Sequence, residues 1–281
     1  MTTYSIYHFF ARLIDRRSEL LASAPLEEIP VLNEQNFFSC INPAQYPDRV
    51  IRVNADRSRY SGGELIELKD ARSYSVSSFN STIPTGRKRL DTFLTPRILA
   101  QMEAAGDPLE ALPVREAYYV VRGRSREHTK VCITHGSFFE TIPVEALIRG
   151  AFAQVIDERL GTSLDEETKS KIIELFTDQS DFSQSRSVEN ASVRLRFRVM
   201  TEVRPEGNIL NSGLYPEIGD DTLNLVVPLH DPDGESAIAS LAQEALAERF
   251  AQVTTLRIKH PLNGWFIVFQ CPLESARHHD S

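Results

Sequence analysis

Residues 62–70, which read Gly-Gly-Glu-Leu-Ile-Glu-Leu-Lys-Asp, carry the strongest structural signal in this chain. Successive side chains of a strand point to opposite faces of its sheet, so Glu67 and Lys69 share one face and their apolar neighbours pack on the other. The two glycines predict a tight turn before this strand. Residues 49–57 alternate basic and apolar side chains, as a half-buried strand does. We therefore predict two antiparallel strands, joined by a glycine turn.

The rest of the chain shows an alternation of helical and strand patterns. Apolar residues recur at helical spacing near the N-terminus, and prolines suited to a first helical turn precede two later helical stretches. This order is typical of an α/β fold in which a mixed central sheet is flanked by helices and carries additional C-terminal strands. Helices are predicted at 4–22, 96–105, 143–160, 165–176 and 235–250, and further strands at 116–123, 130–139, 191–204, 222–230, 253–260 and 264–271.

A polar stretch at 180–187, with neither strand nor helix periodicity, predicts a weak boundary in the chain. We expect residues 1–180 to form a core that includes the N-terminal helix. Residues 181–281 are expected to form an α+β extension that contributes to ligand recognition. The strands of that extension either continue the sheet of the core or form a second lobe.

The composition excludes several classes of protein. No apolar run approaches the roughly 20 residues that a membrane helix needs, and the N-terminus lacks the order of a signal peptide. The three cysteines, Cys40, Cys132 and Cys271, fit neither a disulfide framework nor a zinc pattern, which predicts reduced thiols in the cytoplasm. A net charge of −8 argues against an indiscriminate binder of polyanions, although it permits local basic surfaces.

The chemistry of the strand pair depends on Asp48, Glu67 and Lys69. Asp48 follows Pro47 at the start of the first strand, so an antiparallel pairing brings it beside Glu67. Two carboxylates can hold Mg²⁺, a hard cation that prefers oxygen ligands, and the carbonyl oxygen of Leu68 can supply another ligand. The metal lowers the pKa of a bound water, and a neighbouring lysine stabilises negative charge on a phosphate. This set predicts hydrolysis of phosphodiester bonds.

A Glu-x-Lys triplet alone is weak support, since about one is expected by chance in a chain of this composition. Glu167-Thr168-Lys169 is a second such triplet, but its helical context points the two side chains apart. The alternative interpretation of Glu67 and Lys69 is a structural ion pair on the surface of the sheet. Asp56 is the alternative first acid, although its position near the far end of the hairpin gives Asp48 the better spacing.

Pro47-Asp48 followed by Glu67-Leu68-Lys69 resembles the motif of the PD-(D/E)xK nuclease superfamily, and residues 62–70 with the loop at 77–85 look like type II restriction endonucleases. The resemblance covers roughly residues 40–140. It implies catalytic roles for Asp48, Glu67 and Lys69 and a Mg²⁺ cofactor. It further implies cleavage of double-stranded DNA at a short palindromic site, action as a homodimer, and a functionally paired DNA methyltransferase.

Three groups of polar or basic residues are candidates for contact with DNA, since such side chains bind phosphates and base edges. The alternative for each group is a solvated loop, edge strand or turn. A long polar loop after the second strand contributes Ser77, Ser78, Asn80, Ser81, Thr82, Arg87, Lys88 and Arg89; a strand at 193–199 contributes Arg194, Arg196 and Arg198 on one face; and a link between later strands carries Arg122, Arg124, Arg126 and Lys130.

Three functions compete at this point. The first is a site-specific endonuclease, and the second is another metal-dependent nuclease on the same core that repairs or processes DNA ends. The third is a non-catalytic DNA-binding protein. Cleavage at one fixed sequence separates the first from the second, and the absence of any magnesium-dependent cutting favours the third.

Overall fold

The computed structural model describes residues 4–15, 19–35, 37–39, 46–53, 62–79, 84–90, 96–104, 107, 109–110, 112–140, 144–160, 164–177, 201–230 and 237–273. The helices are α1 (Tyr4–Asp15), α2 (Glu19–Ser23), α3 (Pro96–Ala104), α4 (Val144–Leu160), α5 (Glu166–Thr177) and α6 (Ala237–Arg249). The strands are β1 (Phe37–Ser39), β2 (Arg49–Ile51), β3 (Leu65–Ala71), β4 (Ser78–Phe79), β5 (Arg87–Arg89), β6 (Val114–Ser125), β7 (His128–His135), β8 (Thr201–Glu202), β9 (Thr222–Leu229), β10 (Thr254–His260) and β11 (Gly264–Pro272).

One large mixed sheet organises these strands. Its order is β1-β2-β3-β6-β7-β9-β11-β10, and β5 pairs with β6 beside this path. The pairs β3–β6 and β7–β9 are parallel, and the other neighbours are antiparallel. The protein is therefore an α/β protein with a mixed, largely antiparallel sheet flanked by a few helices, as the sequence predicts. The C-terminal strands β9 to β11 continue this same sheet, while the boundary near residue 180 lies outside the described residues.

The predicted antiparallel pairing of β2 with β3 is confirmed. Gly62 and Gly63 have φ values of 63° and 81°, a backbone conformation that side chains with a Cβ rarely adopt. A Cβ at Gly63 would also lie 1.6 Å from Nη1 of Arg115, so a larger residue here would displace that buried guanidinium group. β2 is shorter than the predicted strand, and residues 54–61 lie outside the described part of the chain.

The two faces of the sheet are covered by different parts of the molecule. On one face, Ile6, Phe10 and Leu13 of α1 are almost fully buried and pack in one apolar cluster with Ile66 of β3 and its sheet neighbours. Burial of each such side chain contributes about 1.5–3 kcal/mol to stability. On the other face, Leu65 belongs to a second cluster, rich in aromatic rings. Because β3 is covered on both sides, its polar residues have two distinct environments.

Several predicted segments differ from the structure. The helix predicted at 4–22 is instead two described helices, α1 and α2. The strand predicted at 130–139 ends at His135, where a short 3-10 turn follows. The polar loop after β3 contains two short strands, since β4 pairs with β8 and β5 pairs with β6. Among the described helices, none has the length and apolar character needed to cross a membrane.

Candidate active site

Asp48 and Glu67 meet across β2 and β3. Arg49 pairs with Ile66 in the antiparallel register, so Asp48, one residue earlier, falls opposite Glu67. The backbone N–H of Leu68 donates a hydrogen bond of 2.8 Å to Oδ2 of Asp48, which orients this carboxyl group. A side-chain hydrogen bond also links Asp48 to Glu67. The two acids that the sequence pattern singles out are therefore neighbours.

The Asp48 carboxyl group lies in surroundings that disfavour its negative charge. Burial raises the pKa of Asp48, and the Glu27 carboxylate acts in the same direction. The Leu68 N–H, the Arg49 guanidinium and the hydrogen bond with Glu67 oppose this shift without cancelling it. A cation placed between the two carboxyl groups would favour their charged forms, because opposite charges nearby lower the pKa of an acid.

The donor atoms at this position suit Mg²⁺. A strand residue directs its N–H and its C=O toward the same neighbouring strand. Because the Leu68 N–H contacts Asp48, the Leu68 carbonyl also faces the side of β3 on which Asp48 lies. Among the described residues, no group of three or more histidine, cysteine, aspartate or glutamate side chains is arranged to hold a metal. Two carboxylates, one carbonyl and water form the available ligand set, and Mg²⁺ commonly keeps several waters.

Lys69 lies on the same face of β3 as Glu67, as the alternation predicts. Its Nζ is 5.9 Å from the centroid of the Phe79 ring, which belongs to the aromatic cluster on that face. Phe79 in turn contacts the rings of Tyr119 and Phe139 edge-on, with centroids 5.1 and 5.0 Å away. The lysine ammonium group therefore lies against a packed aromatic wall beside the two acids.

Lys88 lies in a position that the sequence pattern does not predict. It is predicted to contact DNA from an exposed loop, together with Arg87 and Arg89, but it lies on the inner side of β5. Its Nζ is 4.8 Å from the centroid of Tyr46, two residues before Asp48. Burial lowers the pKa of Lys88 to about 8, and the negative charge of Glu67 opposes that shift. The alternation of a strand explains the difference, because Arg87 and Arg89 remain exposed.

The other acids of this strand face away from the site, as predicted. Glu64 is buried against α1 and accepts a hydrogen bond from the hydroxyl of Ser5, and burial raises the pKa of Glu64 to about 7. Asp70 accepts a hydrogen bond of 3.0 Å from Nε of Arg122. The phosphate-contact interpretation of Arg122 and Lys130 is wrong, since both side chains are almost fully buried.

The structure also places the remaining candidates. Ser77 is exposed and Ser78 is half-buried at the start of β4. Arg87 forms an ion pair of 2.9 Å with Glu116 and remains exposed. The rejected triplet lies in α5, where Lys169 pairs with Asp157 at 2.5 Å. Six predicted DNA-contacting residues and the alternative first acid lie outside the described part of the chain: Asn80, Ser81, Thr82, Arg194, Arg196, Arg198 and Asp56.

No protein-family model, no curated protein and no solved structure matches this chain. The function must therefore be inferred from the chemistry of the site.

Proposed function

We propose that this protein is a Mg²⁺-dependent nuclease that hydrolyses phosphodiester bonds of double-stranded DNA at Asp48, Glu67 and Lys69. The observation that carries the proposal is the hydrogen-bonded contact of the two carboxyl groups across β2 and β3. Lys69 extends from the same face of β3. Two half-buried carboxyl groups in contact disfavour each other's charged form, and such arrangements cluster at functional sites.

Each residue has a defined role in this reaction. Asp48, Glu67 and the Leu68 carbonyl would hold Mg²⁺. When bound, the metal supplies a polarised phosphate and a water of lowered pKa. Asp48 is oriented for this task by the Leu68 N–H. Lys69 donates hydrogen bonds from its ammonium group to the phosphate oxygens, which stabilises the negative charge that develops on them.

The packed rings of Phe79, Tyr119 and Phe139 support the proposed role of Lys69. A lysine ammonium group over a ring face is attracted by the electron density of that ring, and this attraction favours the position of Lys69 against Phe79. Electrostatic attraction between the ammonium group and a phosphate is stronger where water is excluded. A binding protein without catalysis would not need two acids at the point where an anionic backbone approaches.

The finer form of the proposal is a type II restriction endonuclease. It rests on the resemblance of residues 47–69 to that family. It therefore includes a palindromic target, a homodimer and a paired methyltransferase, which the resemblance implies. The exposed residues Ser77, Arg87 and Arg89 lie in the segments that follow β3 and are its described candidates for contact with DNA. The nuclease of another cellular process and the non-catalytic DNA-binding protein remain the alternatives to be tested.

The test is cleavage of a long duplex DNA of known sequence, with Mg²⁺ or with a chelator. Wild-type protein is compared with Lys69→Ala and with Lys169→Ala, a matched control that removes the lysine of the helical triplet. We expect discrete fragments that need Mg²⁺, that disappear with Lys69→Ala and that persist with Lys169→Ala. Thermal unfolding of each variant shows that the fold is retained.

Other outcomes distinguish the alternatives. A featureless smear that disappears with Lys69→Ala would support a nuclease without a fixed recognition sequence. Cutting that is unchanged with Lys69→Ala would show that the active site lies elsewhere. The absence of cutting under all conditions, together with binding of duplex DNA, would favour the non-catalytic protein.

A further inference from the structure

A second lysine approaches the two acids from a separate segment of the chain. Lys88 lies over the ring of Tyr46, in the segment that leads into Asp48, and the charge of Glu67 acts on its ammonium group. Lys88 therefore lies against the segment that supplies Asp48 and within electrostatic reach of Glu67. Its position contrasts with that of Lys69, which belongs to the acidic strand itself.

The position of Lys88 is fixed by the backbone around it. In the antiparallel pairing of β5 with β6, Lys88 lies opposite Arg115. The Gly86 carbonyl accepts a hydrogen bond of 2.9 Å from the Ala117 N–H at one end of β5, and Leu90 donates one of 2.9 Å to Pro113 at the other. Strand geometry then directs Lys88 inward, to the side opposite its two arginine neighbours.

A series of hydrogen bonds between side chains also holds β5 in place. Nε of Arg87 lies 2.9 Å from Oε1 of Glu116, and the other carboxylate oxygen of Glu116 lies 2.8 Å from Nε2 of the buried His135. Nδ1 of His135 is 2.7 Å from the hydroxyl oxygen of Ser137. Because β5 is anchored on the side away from the acids, Lys88 can face them without a long flexible loop beneath it.

The charge balance at the site indicates what Lys88 does. When both are deprotonated, as in the presence of a cation, Asp48 and Glu67 supply two negative charges, and Lys69 and Lys88 supply two positive charges. Once a divalent cation neutralises the carboxylates, the two ammonium groups are left with no net negative charge to compensate them. An incoming phosphodiester is an anion, and addition of hydroxide to it gives a dianionic transition state, which two lysines can stabilise.

We infer that Lys88 is a second catalytic lysine, which contacts the phosphate of the substrate together with Lys69; this inference rests on the proposed nuclease function. In the reaction, a water oxygen bonds to phosphorus, the bond from phosphorus to one deoxyribose oxygen breaks, and a proton reaches that oxygen. The products are a phosphomonoester and a hydroxyl group. Lys88 acts by charge and hydrogen bonding, and it forms no covalent bond.

The test separates binding of DNA from the chemical step. Duplex DNA that carries the cleaved sequence is bound in Ca²⁺, and the single-turnover cleavage rate is then measured in Mg²⁺. The variants are Lys88→Met, which keeps the length of the side chain, and Lys88→Arg, which keeps its charge. The matched control is Lys259→Met, because Lys259 also lies over an aromatic ring, with Nζ 5.7 Å from the Trp265 centroid, at the far edge of the sheet.

We expect Lys88→Met to slow cleavage by about 100-fold or more, the loss typical of removing one donor to a developing oxyanion. Affinity for DNA in Ca²⁺ should change by less than about threefold, because the interaction strengthens in the transition state. Lys88→Arg should recover part of the rate. Lys259→Met should cleave at the wild-type rate.

The outcomes distinguish this inference from the function on which it rests. If wild-type protein does not cut DNA, both proposals fall. If wild-type protein cuts, Lys69→Ala is inactive and Lys88→Met cuts at the wild-type rate, the inference about Lys88 alone is overturned. A parallel loss of cleavage, DNA binding and thermal stability with Lys88→Met, and equally with Lys88→Arg, would assign Lys88 to the stability of the fold and would also overturn it.

Discussion

The two sides of the segment 64–70 give their acidic side chains different partners. The helix side, formed by Glu64, Ile66, Leu68 and Asp70, packs toward the N-terminal helices. There Glu64 meets a hydroxyl group of α1, and Asp70 meets the guanidinium group of Arg122. The acidic side carries Glu67 next to a second carboxyl group, and Lys69 stands beside them on the same strand.

This difference distinguishes charges that stabilise the fold from the charges of the proposed site. On the helix side, Arg122 is fully buried and donates hydrogen bonds to Asp70 and to the backbone carbonyls of Leu21 and Ala24, 2.9 and 2.5 Å away. These hydrogen bonds of the guanidinium group hold α2 and the following residues on the sheet. The acidic side keeps two carboxyl groups in contact, which disfavours their charged forms and creates a position for a cation. The predictions below follow from this contrast and concern the free energy of unfolding.

The largest effect is expected for Arg122→Met. This change leaves Asp70 without its buried partner and two backbone carbonyls without their donor, which should lower the free energy of unfolding by roughly 3–5 kcal/mol. Urea denaturation monitored by circular dichroism measures the loss. A variant as stable as wild type would mean that the helix side does not depend on complementary charge.

A smaller effect, dependent on pH, is expected for Glu64→Gln. The pKa of Glu64 is raised from 4.5 to about 7 by burial, so between these values the folded state keeps a proton that the unfolded state releases. Stability from this group is therefore full below pH 4.5 and is lost as the pH rises to 7. At pH 8 the variant should be more stable than wild type by roughly 2–4 kcal/mol, and near pH 4 the two should be equal. Denaturation curves at several pH values provide the measurement, and an unchanged pH dependence would contradict it.

Removal of the charge of Asp48 on the acidic side should have the opposite sign to removal of the charge of Arg122 on the helix side. Burial raises the pKa of Asp48, so the folded protein is less stable with this group charged at neutral pH. Asp48→Asn should raise the free energy of unfolding by about 1 kcal/mol and abolish cleavage. Added Mg²⁺ should raise the melting temperature of wild type and leave that of the variant unchanged, because only the wild type keeps both carboxylates. Equal responses to Mg²⁺ would place the metal elsewhere.

The smallest effect is expected for Arg124→Met, which serves as the control for the buried arginine. Arg124 also contacts Asp70, with Nη2 3.0 Å from Oδ2, but its side chain is 39% exposed. Exposed ion pairs are screened by water and salt, so the loss should stay below about 1 kcal/mol. A loss as large as that of Arg122→Met would show that burial is not the source of the difference between the two arginines.

The local sequence pattern predicts much of the fold and part of the site. Strict alternation in 64–70 places Glu67 and Lys69 on one face and turns Glu64 and Asp70 away, because strand side chains alternate whatever the strand packs against. Gly62 and Gly63 predict the turn, since few other residues adopt positive φ. Pro96 begins α3 as expected, because proline fits the first turn of a helix. Each of these features depends on neighbours within a few residues.

Only the tertiary structure determines the partners of these residues. Lys88 lies among polar residues with no strand periodicity of their own, and it turns toward the acids because β5 pairs with β6. Ser5 meets Glu64 across 59 residues, and Arg122 meets Asp70 across 52, because the register of strands and helices brings them together. Short-range patterns determine which way a side chain points. Contacts between distant segments determine what it meets there, and thus which acids are neutralised and which remain able to hold a metal.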